Sequence, residues 1–203
     1  MNMQAEITDR DDRSRDGEET RRGRRPASGG RSRELFEWLK SLAVALVIVT
    51  ALKLFVFDLT IVHGISMEPT LQSGERLFVN KIGYLLGEPG RGDIAVLADP
   101  APYPGGGKYI VKRVIGVAGD TVEIRGGTLY LNGERLAEPY TDVAIAGPDF
   151  GPLRVESGKV FVMGDNRRSG ASKDSRSFGT VPVGALYGKA EMILWPISRW
   201  KTL

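Results

Sequence analysis

The sequence predicts a mainly β domain carried behind a single N-terminal transmembrane helix. Three observations predict it: one apolar run of membrane length, a downstream texture of short β-branched runs broken by glycine and proline, and no helix-period pattern of any length beyond the apolar run. With 203 residues, 41% of them hydrophobic, the chain suits one domain plus an appendage.

Residues 1–34 come first and read as a disordered basic cytoplasmic tail. The segment mixes charges, holds few large apolar side chains, and cannot bury enough surface to offset chain entropy. Arginines stand at 21, 22, 24, 25, 31 and 33 with no acid among them. No aromatic or groove-fitting pattern accompanies them, so nucleic acid is not an expected partner.

Residues 35–58 form the expected anchor. Ser41–Phe57 is broken by one charge, Lys53. As a helix these residues extend about 26 Å, against a hydrocarbon core of ~30 Å. Lys53 lies near one end, where its stem reaches the headgroups, and Trp38 suits the opposite interface. The arginines place the N-terminus in the cytoplasm and everything after Asp58 outside. The small-x-small triplet Ala43-Val44-Ala45 opens the apolar run instead of following it, so the anchor is expected to stay attached.

Residues 59–203 are the expected extracytoplasmic β domain, with a nested hairpin or cap insertion at about 119–159. Candidate strands are Leu59–Val62, Arg76–Asn80, Asp93–Leu97, Lys108–Val117, Thr121–Arg125, Thr128–Leu131, Gly158–Met163 and Leu186–Ile193. Gly126-Gly127 and Asn132-Gly133 read as hairpin turns. Leu136–Tyr140 and Gly147–Pro152 read as loops, and the segment from Leu194 to Trp200 is too short and polar for a second span.

Inventory restricts the chemistry. There is no cysteine and one histidine, His63, which excludes cysteine nucleophiles and a metal bound by several His or Cys; no metal and no cofactor are expected. His63 sits three residues before Ser66, and in an extended chain the two side chains project to opposite faces. A serine with lysine as its base stays open. Ser66 follows Gly64 and precedes Pro69, which stops a helix from running through the position. In the run from Lys108 to Gly116, alternation puts Ile110, Lys112 and Val114 on one face and Val111, Arg113 and Ile115 on the other. Both faces are apolar, so at least one cation lies among apolar neighbours. A lysine near its ordinary pKa of about 10.4 is useless as a base; bringing it to about 7–8 takes about 4 kcal/mol of preference for the neutral form, within reach of burial. Arg113 stays charged and cannot serve. The polar run from Gly164 to Gly179 reads either as a source of hydroxyls and ion pairs around a neutral lysine or as a solvated loop, with Asp174 and Arg176 an ordinary surface pair.

Four stretches follow one another along the chain: Ser66-Met-Glu-Pro-Thr-Leu71, Arg76-Leu-Phe-Val-Asn-Lys81, Tyr109-Ile-Val-Lys-Arg-Val-Ile-Gly116 with Gly119-Asp120, and Gly164-Asp-Asn-Arg167 with Asp174-Ser-Arg176. In this order they resemble bacterial type I signal peptidase, the membrane-anchored Ser/Lys protease that removes signal peptides from exported preproteins. The resemblance implies a β fold of the signal-peptidase and repressor-peptidase kind. It makes Ser66 the nucleophile and Lys112 the general base, with the Ser66 N–H on the oxyanion. Asp174 and Arg176 match positions that shape the site. Family members often carry a hydroxyl residue where this chain has Gly64, and the loop before Asp174 is longer than usual, so the serine that orients Lys112 is Ser172 or Ser169, with Ser172 preserving the closer spacing. Substrate would lie extended between Ile61, His63 and Ile65 on one side and Ile110 and Val111 on the other. Signal-peptide-bearing preproteins and the lipid bilayer are the implied partners. Two other readings remain: a self-cleaving Ser-Lys peptidase of repressor type, and a non-enzymatic membrane-tethered β adaptor.

Overall fold

The structure, a computed structural model, describes residues 30–203 apart from 103, 105 and 106. Most of the expected basic tail, residues 1–29, lies outside the described residues. From Gly30 the chain is already helical, earlier than the expected start of the anchor. Glu34, Leu35 and Glu37 are good helix formers, so polarity alone does not end the helix there. This helix, α1, spans Gly30–Phe55, and the boundary between the chain's two compact units, at Val44–Ala45, falls within it. The part from Arg33 to Phe55 is long and apolar enough to cross a membrane by length and composition. Leu42, Leu46, Ile48, Leu54 and Phe55 all present their side chains outward, as an apolar-all-round helix does when lipid is its surroundings.

The second unit carries two antiparallel sheets. The larger runs in the order β1 (Phe57–Ile61), β2 (Arg76–Asn80), β11 (Leu186–Trp195), β3 (Ile94–Ala98), β4 (Tyr109–Gly116), β9 (Lys159–Met163) and β10 (Val181–Pro182), with β12 (Lys201–Thr202) added to β11. The smaller runs β7 (Glu134–Arg135), β6 (Thr128–Leu131), β5 (Thr121–Arg125) and β8 (Phe150–Arg154). Short helices α2 (Gly83–Leu86) and α3 (Ser175–Phe178) fill connections.

Alternation sorts the core. Along β3, Ile94 and Val96 join one buried cluster with Met67, Leu71, Leu77 and Val79, while Ala95 and Leu97 join another with Val114, Val160 and Val162. A third cluster, built on Ile115, Val122, Ile124, Phe161 and Met163, ties the small sheet to β4 and β9. The hairpin turns form at Gly126-Gly127 and at Asn132-Gly133, where all four residues have positive φ, as primed turns require.

One expectation is corrected. Phe150–Arg154, partly read as loop, is strand β8, paired with β5 through Thr121↔Arg154 and Ile124↔Phe150. Gly151 and Pro152 hide it, yet both are tolerated because β8 is the edge of its sheet and a register shift falls between Val122 and Ile124.

For the site, the register of β4 matters most. Ala95 of β3 faces Lys112, and pairing with β9 begins only at Arg113↔Met163. Tyr109–Lys112 therefore has strand pairing on its β3 side and an open edge on the other.

Candidate active site

Ser66 lies in the segment between β1 and β2, which closes on itself through Val62 N–H to Glu75 O (2.8 Å) and Gly74 N–H to Val62 O (2.9 Å). Gly64, at φ +89°, turns the chain just before the serine, and Met67 and Leu71 are buried beneath it. From the far side Asn166 holds the backbone twice. Its N–H donates to Ser66 O at 3.1 Å, and its side-chain amide donates to Ile65 O at 3.1 Å.

Lys112 Nζ lies 2.7 Å from Ser66 Oγ and 3.1 Å from Val111 O. The lysine is 3% exposed. Burial pushes its amine down to about 8 from the ordinary 10.5; the charge of Lys173 acts the same way, while Asp174, Asp99 and Asp165 oppose it. Its neighbour Arg113, on the opposite face, is buried too, and its guanidinium is spanned by the Asp165 carboxylate at 2.8 and 2.6 Å. Thr70 donates to the same carboxylate at 2.5 Å. Thus one buried ion pair joins β4, the turn after Ser66 and the segment after β9. Arg167, fully buried, donates to Gly164 O and to the Glu138 carboxylate, fastening that segment on its other side.

Asp174 and Arg176 are no surface pair. Asp174 is 0% exposed, and Arg176 grips it through Nε and Nη2, each at 2.8 Å. Burial acts to raise the Asp174 carboxyl, but Arg176, the Ser172 hydroxyl and the Gly164 N–H outweigh it and hold the group below the usual carboxylate range. Ser172 donates to Asp174 Oδ2 at 2.8 Å; among the described residues, the Lys112 amine hydrogen-bonds to Ser66 and Val111 and not to Ser172. Ser169 is exposed. The expected orienting contact from either serine to Lys112 is therefore absent as a hydrogen bond; the Ser172 hydroxyl donates to the Asp174 carboxylate instead.

His63 is exposed, and among the described residues it bonds to neither Ser66 nor Lys112. Ile61, at 46%, and Ile65, at 52%, present apolar side chains to solvent, while Ile110 and Val111 are half-buried on the open-edged part of β4. Among the described residues the Ser66 N–H donates to no protein acceptor. No three His, Cys, Asp or Glu side chains among them group in a way that holds a metal ion.

Two contributors carry no role in the sequence reading. Asn166 clamps the serine backbone, and Gly164 leaves it room, for a Cβ there would strike both Ser66 O and Ser172 Oγ. Both stand in a quoted motif; the detectable signal was an Asp and an Arg, 165 and 167, placed immediately after an apolar strand.

The family model described as signal peptidase, peptidase S26, matches residues 35–195. The chain belongs to that family. Membership makes it a serine endopeptidase and sets aside the non-enzymatic reading. Similar relatives include signal peptidase I of Bacillus licheniformis, 39% identical over 183 residues that cover 85% of this chain and 95% of the relative. Signal peptidase I T of Bacillus subtilis (strain 168) is 38% identical, covering 81% and 88%. Signal peptidase IB of Staphylococcus aureus (strain Mu50 / ATCC 700699) is 38% identical, covering 83% and 94%. Among solved structures, a signal peptidase I from Enterococcus faecalis V583 is 36% identical, covers 51% of this chain and 97% of that one, and superposes with a TM-score of 0.42.

Proposed function

We propose that this signal peptidase removes signal peptides from exported preproteins with Ser66 as nucleophile and Lys112 as its base. One observation carries the assignment: a nearly dry lysine amine 2.7 Å from a serine hydroxyl. At pH 7 an amine titrating near 8 is neutral about 300 times more often than one titrating near 10.5, which turns an inert cation into a usable base. Neutral Lys112 takes the Ser66 proton as Oγ attacks the scissile carbonyl, then passes it to the departing amine. The acyl-enzyme is hydrolysed when the same amine activates a water. The Ser66 N–H, without an internal acceptor among the described residues, is available to the developing oxyanion.

The open edge of Tyr109–Lys112 suits an extended substrate added as a further strand, with Ile61, His63 and Ile65 along its other side. Asp174 and Arg176 stiffen the floor of the site, and Ser172 joins them there. The chain is organised as a basic N-terminal tail inside the cell, one membrane crossing and an outward-facing catalytic β domain in the bacterial plasma membrane; the arginines from 21 to 33 support this orientation. Phe55 ends the helix eleven positions before Ser66, which suits substrates whose own apolar segment is still in the lipid.

The test is processing of a purified precursor by detergent-solubilised wild type, Ser66→Ala and Lys112→Ala. Both variants are expected to fold and to lose cleavage; processing retained by either overturns the role given to that residue.

A further inference from the structure

The exit of α1 onto the catalytic sheet is tied by a cluster that the dyad does not use. The last α-helical bond is Val56 N–H to Leu52 O at 2.8 Å, so later carbonyls need other donors. Lys81, the residue after β2, supplies two. Its ammonium donates to Leu54 O at 2.6 Å, and its backbone N–H donates to Val56 O at 2.9 Å. A cation at a helix C-terminus also meets the negative end of the helix dipole. The same ammonium lies 4.9 Å from the centre of the Tyr187 ring, whose hydroxyl donates to Asp58 Oδ2 at 2.7 Å. Residues 54–58 are thus gripped from β2 and β11 together. Tyr187 in turn packs on Tyr109, ring centres 4.7 Å apart, at the start of the strand that carries Lys112.

We propose that Lys81 is a positioning residue that fixes the height of Ser66 above the lipid, and so decides which bond of a membrane-embedded precursor reaches the dyad. A carbonyl left without a donor at the lipid boundary is costly, so an unclamped helix end has reason to shift or rewind. The five-residue β1–β2 pairing, from Phe57↔Asn80 to Ile61↔Arg76, does not include Lys81. Chemistry on a substrate free to approach from water does not depend on that height; chemistry on one held in the bilayer does. The inference rests on the signal-peptidase reading above.

The experiment compares full-length wild type, Lys81→Met, Lys81→Arg and Tyr187→Phe in phosphatidylethanolamine–phosphatidylglycerol vesicles. One substrate is a water-soluble peptide spanning only a cleavage region; the other is a precursor with its whole signal peptide in the same vesicles. For Lys81→Met, kcat/KM on the peptide is expected within about twofold of wild type. On the precursor it falls at least about fivefold, or the products spread to neighbouring bonds by mass spectrometry. Lys81→Arg restores the wild-type pattern. Tyr187→Phe, which keeps the ring and loses the bond to Asp58, shifts selectivity the same way by less, and carries the test if Lys81→Met does not fold. Equal losses on both substrates, or none on either, overturn the clamp while leaving the peptidase reading intact. A wild type that cuts neither substrate overturns both.

Discussion

Gly164 sits against the carbonyl of Ser66 so closely that even a methyl group has no place between them. The other obstacle to that methyl is the Ser172 hydroxyl, itself tied to Asp174. The Ser66 segment, distant in sequence, and the loop at Ser172 and Asp174 therefore converge on one small residue. Gly164→Ala is expected to destabilise the domain by about 1–3 kcal/mol through overpacking. It should lower kcat about 100-fold by displacing the serine, since an ångström of misplacement has that scale of effect. Denaturant unfolding and single-turnover cleavage measure the two separately. An Ala variant with wild-type kcat would show that the serine tolerates the shift.

Asp174 opposes the burial that lowers the Lys112 amine. In Asp174→Asn that opposition is gone and Arg176 is left as an unbalanced positive charge. The midpoint of the kcat/KM pH profile is expected to move to lower pH than in wild type. Stability should fall on the order of 3 kcal/mol, because one partner of a largely buried ion pair remains. A midpoint that moves upward would contradict the electrostatic ordering of the site.

Stability should also report on Lys112. Its amine titrates near 8 when folded and near 10.5 when unfolded, so between those values the unfolded chain holds the extra proton. Below about pH 8 both states are protonated and the folded protein bears the full cost of a buried cation. That cost is relieved as pH rises toward 10.5. Lys112→Met removes the group, so its stability advantage over wild type should be larger at pH 6 than at pH 10 by about 2–3 kcal/mol. Urea titrations at the two pH values give the difference. An advantage independent of pH would mean that the lysine is not perturbed.

Much of the sheet was legible because its strands are half-buried and alternate. Arg76–Asn80, Thr121–Arg125 and Thr128–Leu131 have in the structure the bounds that β-branched patterning and flanking glycines suggest. Strand β8 was not legible, since a glycine and a proline at an edge look the same as a loop in sequence. Two-residue strands such as β7 and β12 are too short to show any period.

The site was legible by inventory and motif, and illegible where burial closes over polar residues. Asp165 reaches Arg113 across 52 positions and Arg167 reaches Glu138 across 29, so a run of charges that composition assigns to the surface is in fact interior. The same holds for Asp174, whose ion partner is only two positions away yet which is fully buried and also accepts from the Gly164 N–H ten positions back. Hydroxyl direction is a further step beyond reach: Ser172 stands beside the serine backbone, but its proton goes to Asp174.

The most direct test of a neutral base beside Ser66 is titration of the Lys112 amine itself, followed by NMR at the side-chain carbon and nitrogen in the folded, full-length protein. The midpoint is expected near 8 and should move when Asp174 is replaced. A Lys112 amine that stays protonated to the ordinary lysine value of about 10.5 would contradict the account.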